Sequence, residues 1–258
     1  MALFEDHHPF ITMPGESDRL WRYISFARYM MMLNTSKLWF SRLDKFDDPF
    51  EGAVTPFNAI IRENQRKGSE VLSRPSVRGH FDWLHEGRRR MHYANCWHMS
   101  DIESNAMWEK YRSTETVAIV SDRSGFRDGL LTEREIFLGK VNYKNYLPGT
   151  SDFVEDGNGF GAIFTKRNNF EYEKEVRAVL LDVSDMASTT HDGVTFPKMF
   201  ADNPDGIEIE VNLEKLIKEV KIHPKGGSHL LQAVEASTKS QGFGFRISDS
   251  KMNAKPIY

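Results

Sequence analysis

Glutamates at 171, 173 and 175 and then Arg177 occupy every second position in the stretch KRNNFEYEKEVRAVLL, residues 166 to 181. Read as a strand, this spacing sends Glu171, Glu173, Glu175 and Arg177 to one face and Phe170, Tyr172 and Val176 to the other. Three carboxylates on one strand face repel each other. They are tolerated when solvated, when paired with cations such as Lys166, Arg167 and Arg177, or when used in a reaction. The apolar run Ala178, Val179, Leu180, Leu181 reads as a strand buried on both faces, so the acidic half should emerge at a rim or cleft. Two readings stay open: carboxylates placed for chemistry, and an edge strand kept soluble by its charges.

Other residues bear on that choice. Arg22 lies between Trp21 and Tyr23, where alternation points its guanidinium away from both aromatics, either to clamp a diphosphate bidentately or to pair with a strand glutamate. Asp47, Asp48 and Glu51 in FDDPFEG offer oxygen ligands for a divalent cation, but no glycine-punctuated calcium loop surrounds them and a turn with capping roles fits as well. Cys96 and His98 share a strand face near His92. Without a fourth ligand at a standard spacing, a buried cysteine beside a hydrogen-bonded histidine is the simpler reading. Gly157, Gly159 and Gly161 lack the strand-turn-helix setting of a dinucleotide fingerprint and read as a flexible loop, and Arg88 to Arg90 read as a solvated basic face. The sequence holds no GKS or GKT phosphate loop, GxSxG elbow or HExxH, which argues against a nucleotide hydrolase, a serine hydrolase of that type and a zinc peptidase.

Positioning these residues requires a sizeable core, and 258 residues, 40% hydrophobic and 12% aromatic, supply one. A net charge of −3 gives no bulk attraction to nucleic acid or membrane. The single Cys96 fits a reducing compartment, and MALFEDHHPF lacks the basic start and apolar run of a signal peptide. A cytoplasmic protein is expected, with no membrane partner. Along the chain, residues 1–18 read as an irregular arm, with structure starting after it. Strands are expected at Leu20 to Ile24, Leu38 to Phe40, Tyr93 to Met99, Val117 to Val120, Phe137 to Tyr143, Glu171 to Leu181, Ile207 to Val211, Lys221 to His223 and Phe243 to Ile247. Ser25 should cap a first helix, Ser100 with Glu103 a second through Tyr111, and Gly242 should close a late helix over Ser228 to Gln241. Leu213 to Val220 reads as a further helix. Residues 55–92 read as a helical insertion, and the polar stretch after Asp182 as a mobile loop. The expected architecture is one α+β domain over residues 19–258, with mixed, mostly antiparallel sheets forming a cleft.

Four ordered strings, LWRYISF, LWFSRLDKFDDPFEG, CWHMSDIESNAMWEKY and KRNNFEYEKEVR, resemble the bacterial family catalogued as domain of unknown function 2971. The resemblance runs from about residue 20 to about residue 250 and includes IHPKGG. More distantly, a basic strand, a helix, a second strand with an aromatic and Ser, and a late strand bearing Glu resemble the ADP-ribosyltransferase fold, which splits NAD in a cleft. That resemblance implies Arg22, beside Tyr23, on the cofactor, Phe40 and Ser41 on the nicotinamide side, and Glu175 or Glu173 as the catalytic carboxylate. Phe40, Trp108 or Tyr111 would stack on nicotinamide, and the second glutamate would orient or deprotonate the acceptor. It departs from many such transferases in lacking their Ser-Thr-Ser form. The implied activity is transfer of ADP-ribose from NAD to a macromolecule, protein or nucleic acid, without a metal, as in a toxin or phage-defence effector. The alternatives are a non-catalytic protein or nucleic-acid binding module and a metal-dependent hydrolase using Asp47, Asp48 and Glu51. If catalytic, Glu175 should be exchangeable for Gln with loss of turnover and little loss of stability.

Overall fold

A computed structural model describes residues 3–4, 8, 11–53, 59–60, 63–64, 67–70, 87–111, 113–146, 160–183, 188–191, 194–197 and 203–254. Its first half contains β1 (Leu3–Phe4), β2 (Leu20–Ser25), α1 (Phe26–Thr35), β3 (Lys37–Arg42), β4 (His92–Met99), α2 (Asn105–Tyr111), β5 (Thr116–Ser121) and α3 (Arg123–Gly129). There follow β6 (Ile136–Lys140), β7 (Asn142–Lys144), α4 (Phe160–Ile163), β8 (Thr165–Arg167), β9 (Glu175–Leu181), β10 (Ser188–His191) and β11 (Val194–Pro197). The chain continues with β12 (Gly206–Glu210), α5 (Leu213–Leu216), β13 (Glu219–Ile222), α6 (Gly227–Ser240) and β14 (Arg246–Ser248).

A ten-stranded sheet runs in the order β1-β6-β9-β4-β2-β5-β13-β14, with β3 joining β4 and β12 joining β3. Only its outer pairs, β1 with β6 and β13 with β14, are parallel. The fold is therefore α+β with a mostly antiparallel sheet, as the strand spacing implied. β5 and the first six residues of β9 are buried throughout; Val117–Val120 and Ala178–Leu180 are the apolar runs of these central strands, while Glu175 and Arg177 are buried charges. One face carries the main core, where Leu20, Tyr29, Leu33, Phe40, Ile119, Leu180, Val220 and Val234 bring α1 and α6 onto the sheet. Trp21, Tyr23, Met107, Trp108, Ala118 and Val120 form a separate cluster that seats α2.

Local signals explain several boundaries. Ser25 caps α1 by accepting from the Arg28 backbone N–H, and Gly242 follows α6 in the left-handed region at φ 82°. Other expectations are corrected. The sheet begins at Leu3 rather than after residue 18, because the buried Leu3 adds a strand to β6. α2 is capped by Ser104, whose hydroxyl accepts from Met107 N–H at 3.3 Å, while Glu103 turns away to hold the backbone of Lys251 at 2.7 Å. Leu213 to Val220 is not one helix: a single turn is followed by β13. Within the polar stretch after Asp182, β10 and β11 pair as an antiparallel hairpin. The expected insertion lies largely outside the described residues, apart from short helical pieces ending at 87–91, where Arg88 is buried rather than solvated. The glycine-rich loop lies outside them up to residue 159. Among the described residues no helix is long and apolar enough to cross a membrane.

Candidate active site

A split in the sheet creates the site. β2 and β4 pair only at Leu20↔Met99 and Trp21↔His98; from there β2 follows β5 to Ser25↔Thr116, while β4 follows β9 from His98↔Glu175 to His92↔Leu181. Arg22 stands at the fork. Its Nη1 donates to the Cys96 carbonyl at 3.1 Å, on the strand that β2 has just left, and its guanidinium lies 5.9 Å from the Trp97 ring centre. A cavity of about 530 Å³ opens there, lined among others by Arg22, Tyr23, Ser41, Tyr111, Glu173 and Glu175.

The acidic segment is built differently from the alternation reading. Asn168–Glu173 is a 3-10 turn, and Lys174 adopts the left-handed conformation at φ 40° before β9 starts at Glu175. Glu171 and Glu173 therefore do not lie on the strand. The turn nevertheless returns Glu173 to Glu175 through Lys166, whose Nζ reaches Glu173 Oε2 at 2.8 Å, Glu175 Oε2 at 3.0 Å and Glu51 Oε1 at 3.0 Å. Arg177, on the same face as Glu175, donates from Nε to Glu175 Oε1 at 2.7 Å and from Nη2 to Glu51 Oε2 at 2.5 Å. Lys110 on α2 completes the network by binding Glu173 Oε1 at 2.8 Å. Three carboxylates thus face three cations.

This network fixes protonation. Burial alone would raise the Glu175 pKa, but the charges of Arg177 and Lys166 override it and hold the carboxyl ionised, far below the usual carboxylate range. Burial would lower Lys166, yet Glu175, Glu51 and Glu173 hold it well above an ordinary lysine. Burial also lowers the Arg22 pKa. A guanidinium has charge to spare, so Arg22 remains a cation. Among the described residues Arg22 forms no ion pair, and Arg28, which shares the cavity wall, forms none either. The site therefore joins a neutralised carboxylate cluster to a pair of cations without carboxylates.

Of the other residues picked out from the sequence, Ser41 and Tyr111 line the cavity, and Tyr111 stacks at 6.2 Å on Tyr23, whose hydroxyl accepts from Ser104 N–H. Phe40 and Trp108 do not line it. Phe40 is fully buried on the core side of β3, and Trp108 is buried under α2, edge-on to Tyr23 at 4.7 Å. On β3 the exposed aromatic is Trp39, which alternation places with Ser41 on the open face.

The DDPFEG turn also has a use that its sequence did not disclose. Asp48 takes two hydrogen bonds from Arg167, at 2.9 and 3.1 Å, and Glu51 is committed to Lys166 and Arg177. Carboxylates held by cations at these distances are poor ligands for a divalent ion. Among the described residues no group of three or more His, Cys, Asp or Glu is placed to hold a metal. Burial and the Glu175 charge push the Cys96 thiol well up, which leaves it a neutral wall residue.

No family model matches the sequence, and no curated protein matches it, so the resemblance to domain of unknown function 2971 gains no support there. Among solved structures, Thermus sp. 2.9 DarT in complex with ADP-ribosylated ssDNA is similar at 11% identity, over 95% of this chain and 100% of that one, with a TM-score of 0.41. The same protein in complex with NAD+ is similar at 10% identity, over 95% and 100% of the two chains, with a TM-score of 0.41. At that identity and TM-score the likeness carries no argument about function.

Proposed function

We propose that the chain is an ADP-ribosyltransferase that uses NAD as co-substrate. The observation that carries this reading is the convergence on one cavity of Arg22, a cation without a carboxylate partner, and Glu175, a carboxylate held ionised. A volume of about 530 Å³ lies within the range of small-molecule and cofactor sites. NAD would supply ADP-ribose and a neutral nicotinamide leaving group. Arg22 and Arg28 would bind the diphosphate, and Ser41, Tyr111 and Trp39 offer a hydroxyl and aromatic faces to the nicotinamide end. Glu175 would accept from the ribose hydroxyl and offset positive charge that develops as the glycosidic bond lengthens. Its pairs with Arg177 and Lys166 fix its orientation in advance, which is the condition for electrostatic preorganisation. Glu173 would take the supporting role. The acceptor would be a macromolecule, and the setting a cytoplasmic toxin or phage-defence effector, which arrest of growth on expression would test.

A second reading is favoured by one specific feature. Glu173 and Glu175 are both saturated with cationic partners, as expected of a structural network in a non-catalytic binding module. The decisive assay is nicotinamide release from NAD by the purified protein with cell extract as acceptor source, for wild type, Glu175→Gln and Glu173→Gln. Release that depends on either glutamate supports the transferase. Absence of release, together with no thermal stabilisation by millimolar NAD, supports the binding module.

A further inference from the structure

His98 has no assigned task in the reaction, yet its surroundings give it one. It sits on β4 directly opposite Glu175, so the two side chains share a face of the sheet with Cβ atoms about 5 Å apart. It also lines the cavity. Its Nδ1 lies 2.6 Å from the Glu173 carbonyl oxygen. A carbonyl only accepts, so Nδ1 carries the proton and a neutral ring leaves Nε2 as a bare lone pair. That Nε2 is buried and has no hydrogen-bond partner. A buried acceptor left unsatisfied is unfavourable, and native structures rarely keep one without a use. Burial lowers the His98 pKa below 6.5, which keeps the lone pair free at neutral pH.

We propose that His98 is a catalytic base that takes the proton from the acceptor nucleophile through Nε2. This rests on the transferase reading above. As the acceptor O–H or N–H attacks the ribose C1′, its proton passes to Nε2, the new C1′–O or C1′–N bond forms, and the C1′–nicotinamide bond breaks with its electron pair leaving on nicotinamide. The positive charge of the pyridinium is thereby exchanged for one on the imidazolium. Glu175 stays ionised beside it, so the carboxylate that supports the ribose is not also required to take the proton. The charged and titratable groups around the ring are Tyr23, 6.3 Å away and edge-on, Glu173 and Lys174 on the turn, and Glu175 on β9; Lys110 on α2 and Lys166 on β8 pair with those two carboxylates.

His98→Asn tests the role, because the Asn side-chain amide can still donate to the Glu173 carbonyl while the Nε2 acceptor is lost. The expected result is a fall in transfer of about 100-fold or more, with NAD binding measured by calorimetry within 2-fold of wild type. In wild type, the rate should fall on the acid side with the same pKa that nuclear magnetic resonance reads for the His98 imidazole, and His98→Asn should lose that limb. If His98→Asn does not fold, the wild-type comparison alone decides. Unchanged transfer in His98→Asn, or an acid limb that does not track the His98 titration, overturns the assignment while leaving the transferase reading intact. No nicotinamide release by wild type overturns both.

Discussion

Exchanging Glu175 for Gln should damage stability and turnover together, contrary to the expectation of a stability-neutral catalytic exchange. Its side chain is 5% exposed, and its partners Arg177 and Lys166 are 0% and 9% exposed. Removing its charge leaves Glu51 and Glu173 facing Lys166, Arg177 and Lys110, one buried positive charge in excess. Breaking a buried pair from one side typically destabilises by about 3–5 kcal/mol. For a domain of this size that corresponds to a fall in melting temperature of roughly 6–20 °C. Turnover per folded molecule should fall by a further 10²- to 10³-fold, on the order of what one preorganised transition-state group supplies. Calorimetry, and nicotinamide release assayed well below the melting point, separate the two effects. Adding Lys166→Met to Glu175→Gln restores charge balance, so part of the stability should return while turnover does not. A melting temperature within about 2 °C of wild type for Glu175→Gln would refute the argument from buried pairing. Unchanged turnover would refute the catalytic role.

Arg22→Ala should weaken NAD binding by about 10- to 100-fold, the loss of one charge-assisted contact, with a smaller effect on turnover once NAD is saturating; calorimetric titration checks this. The network also sets a pH window. Glu175 is depressed from 4.5, so its stabilisation is complete above that value and is lost as pH falls through its lower folded-state pKa. Lys166 is raised from 10.5, so its contribution is complete below that value and is lost as pH rises through its higher folded-state pKa. Urea unfolding across pH should therefore show a stability plateau inside those limits, and a steady gain in stability below pH 4 would refute it. Gly206→Ala should destabilise by about 1–3 kcal/mol, because a Cβ there would run into the Trp39 indole ring and the Phe40 carbonyl. Unfolding together with acrylamide quenching of Trp39 reads that displacement.

Much of the framework was legible because its signals are local. Ser25 capping α1, Gly242 closing α6 and the apolar runs of β5 and β9 each follow from a few adjacent residues. The acidic segment misled because Glu171, Glu173 and Glu175 satisfy a period of two, whereas Lys174 at positive φ breaks the strand between the last two. No residue pattern foretells that turn, since lysine has no preference for the left-handed region. Glu51 was hidden for another reason. Its partners are 115 and 126 residues further along the chain, and a pairing of that range has no sequence signature. Trp39 and Phe40 show a finer limit: alternation separates their faces, but only the packed sheet tells which face is open.

The split between β2 and β4 also sets when the site comes into being. Its cationic edge at Arg22 and its acidic edge at Glu175 are far apart in the chain, and β4, the strand between them, precedes β9. At ribosomal speeds of about 5–20 residues per second, roughly 8–30 s separate synthesis of the two edges. Throughout that interval the emerging chain has Arg22 but not the strand that carries Glu175 across the gap. Pairing over such distances is slow to nucleate, so β9 docking onto β4 is a late event. Translation itself therefore acts as a timer, and a ribosome-bound fragment ending before β9 has no assembled site.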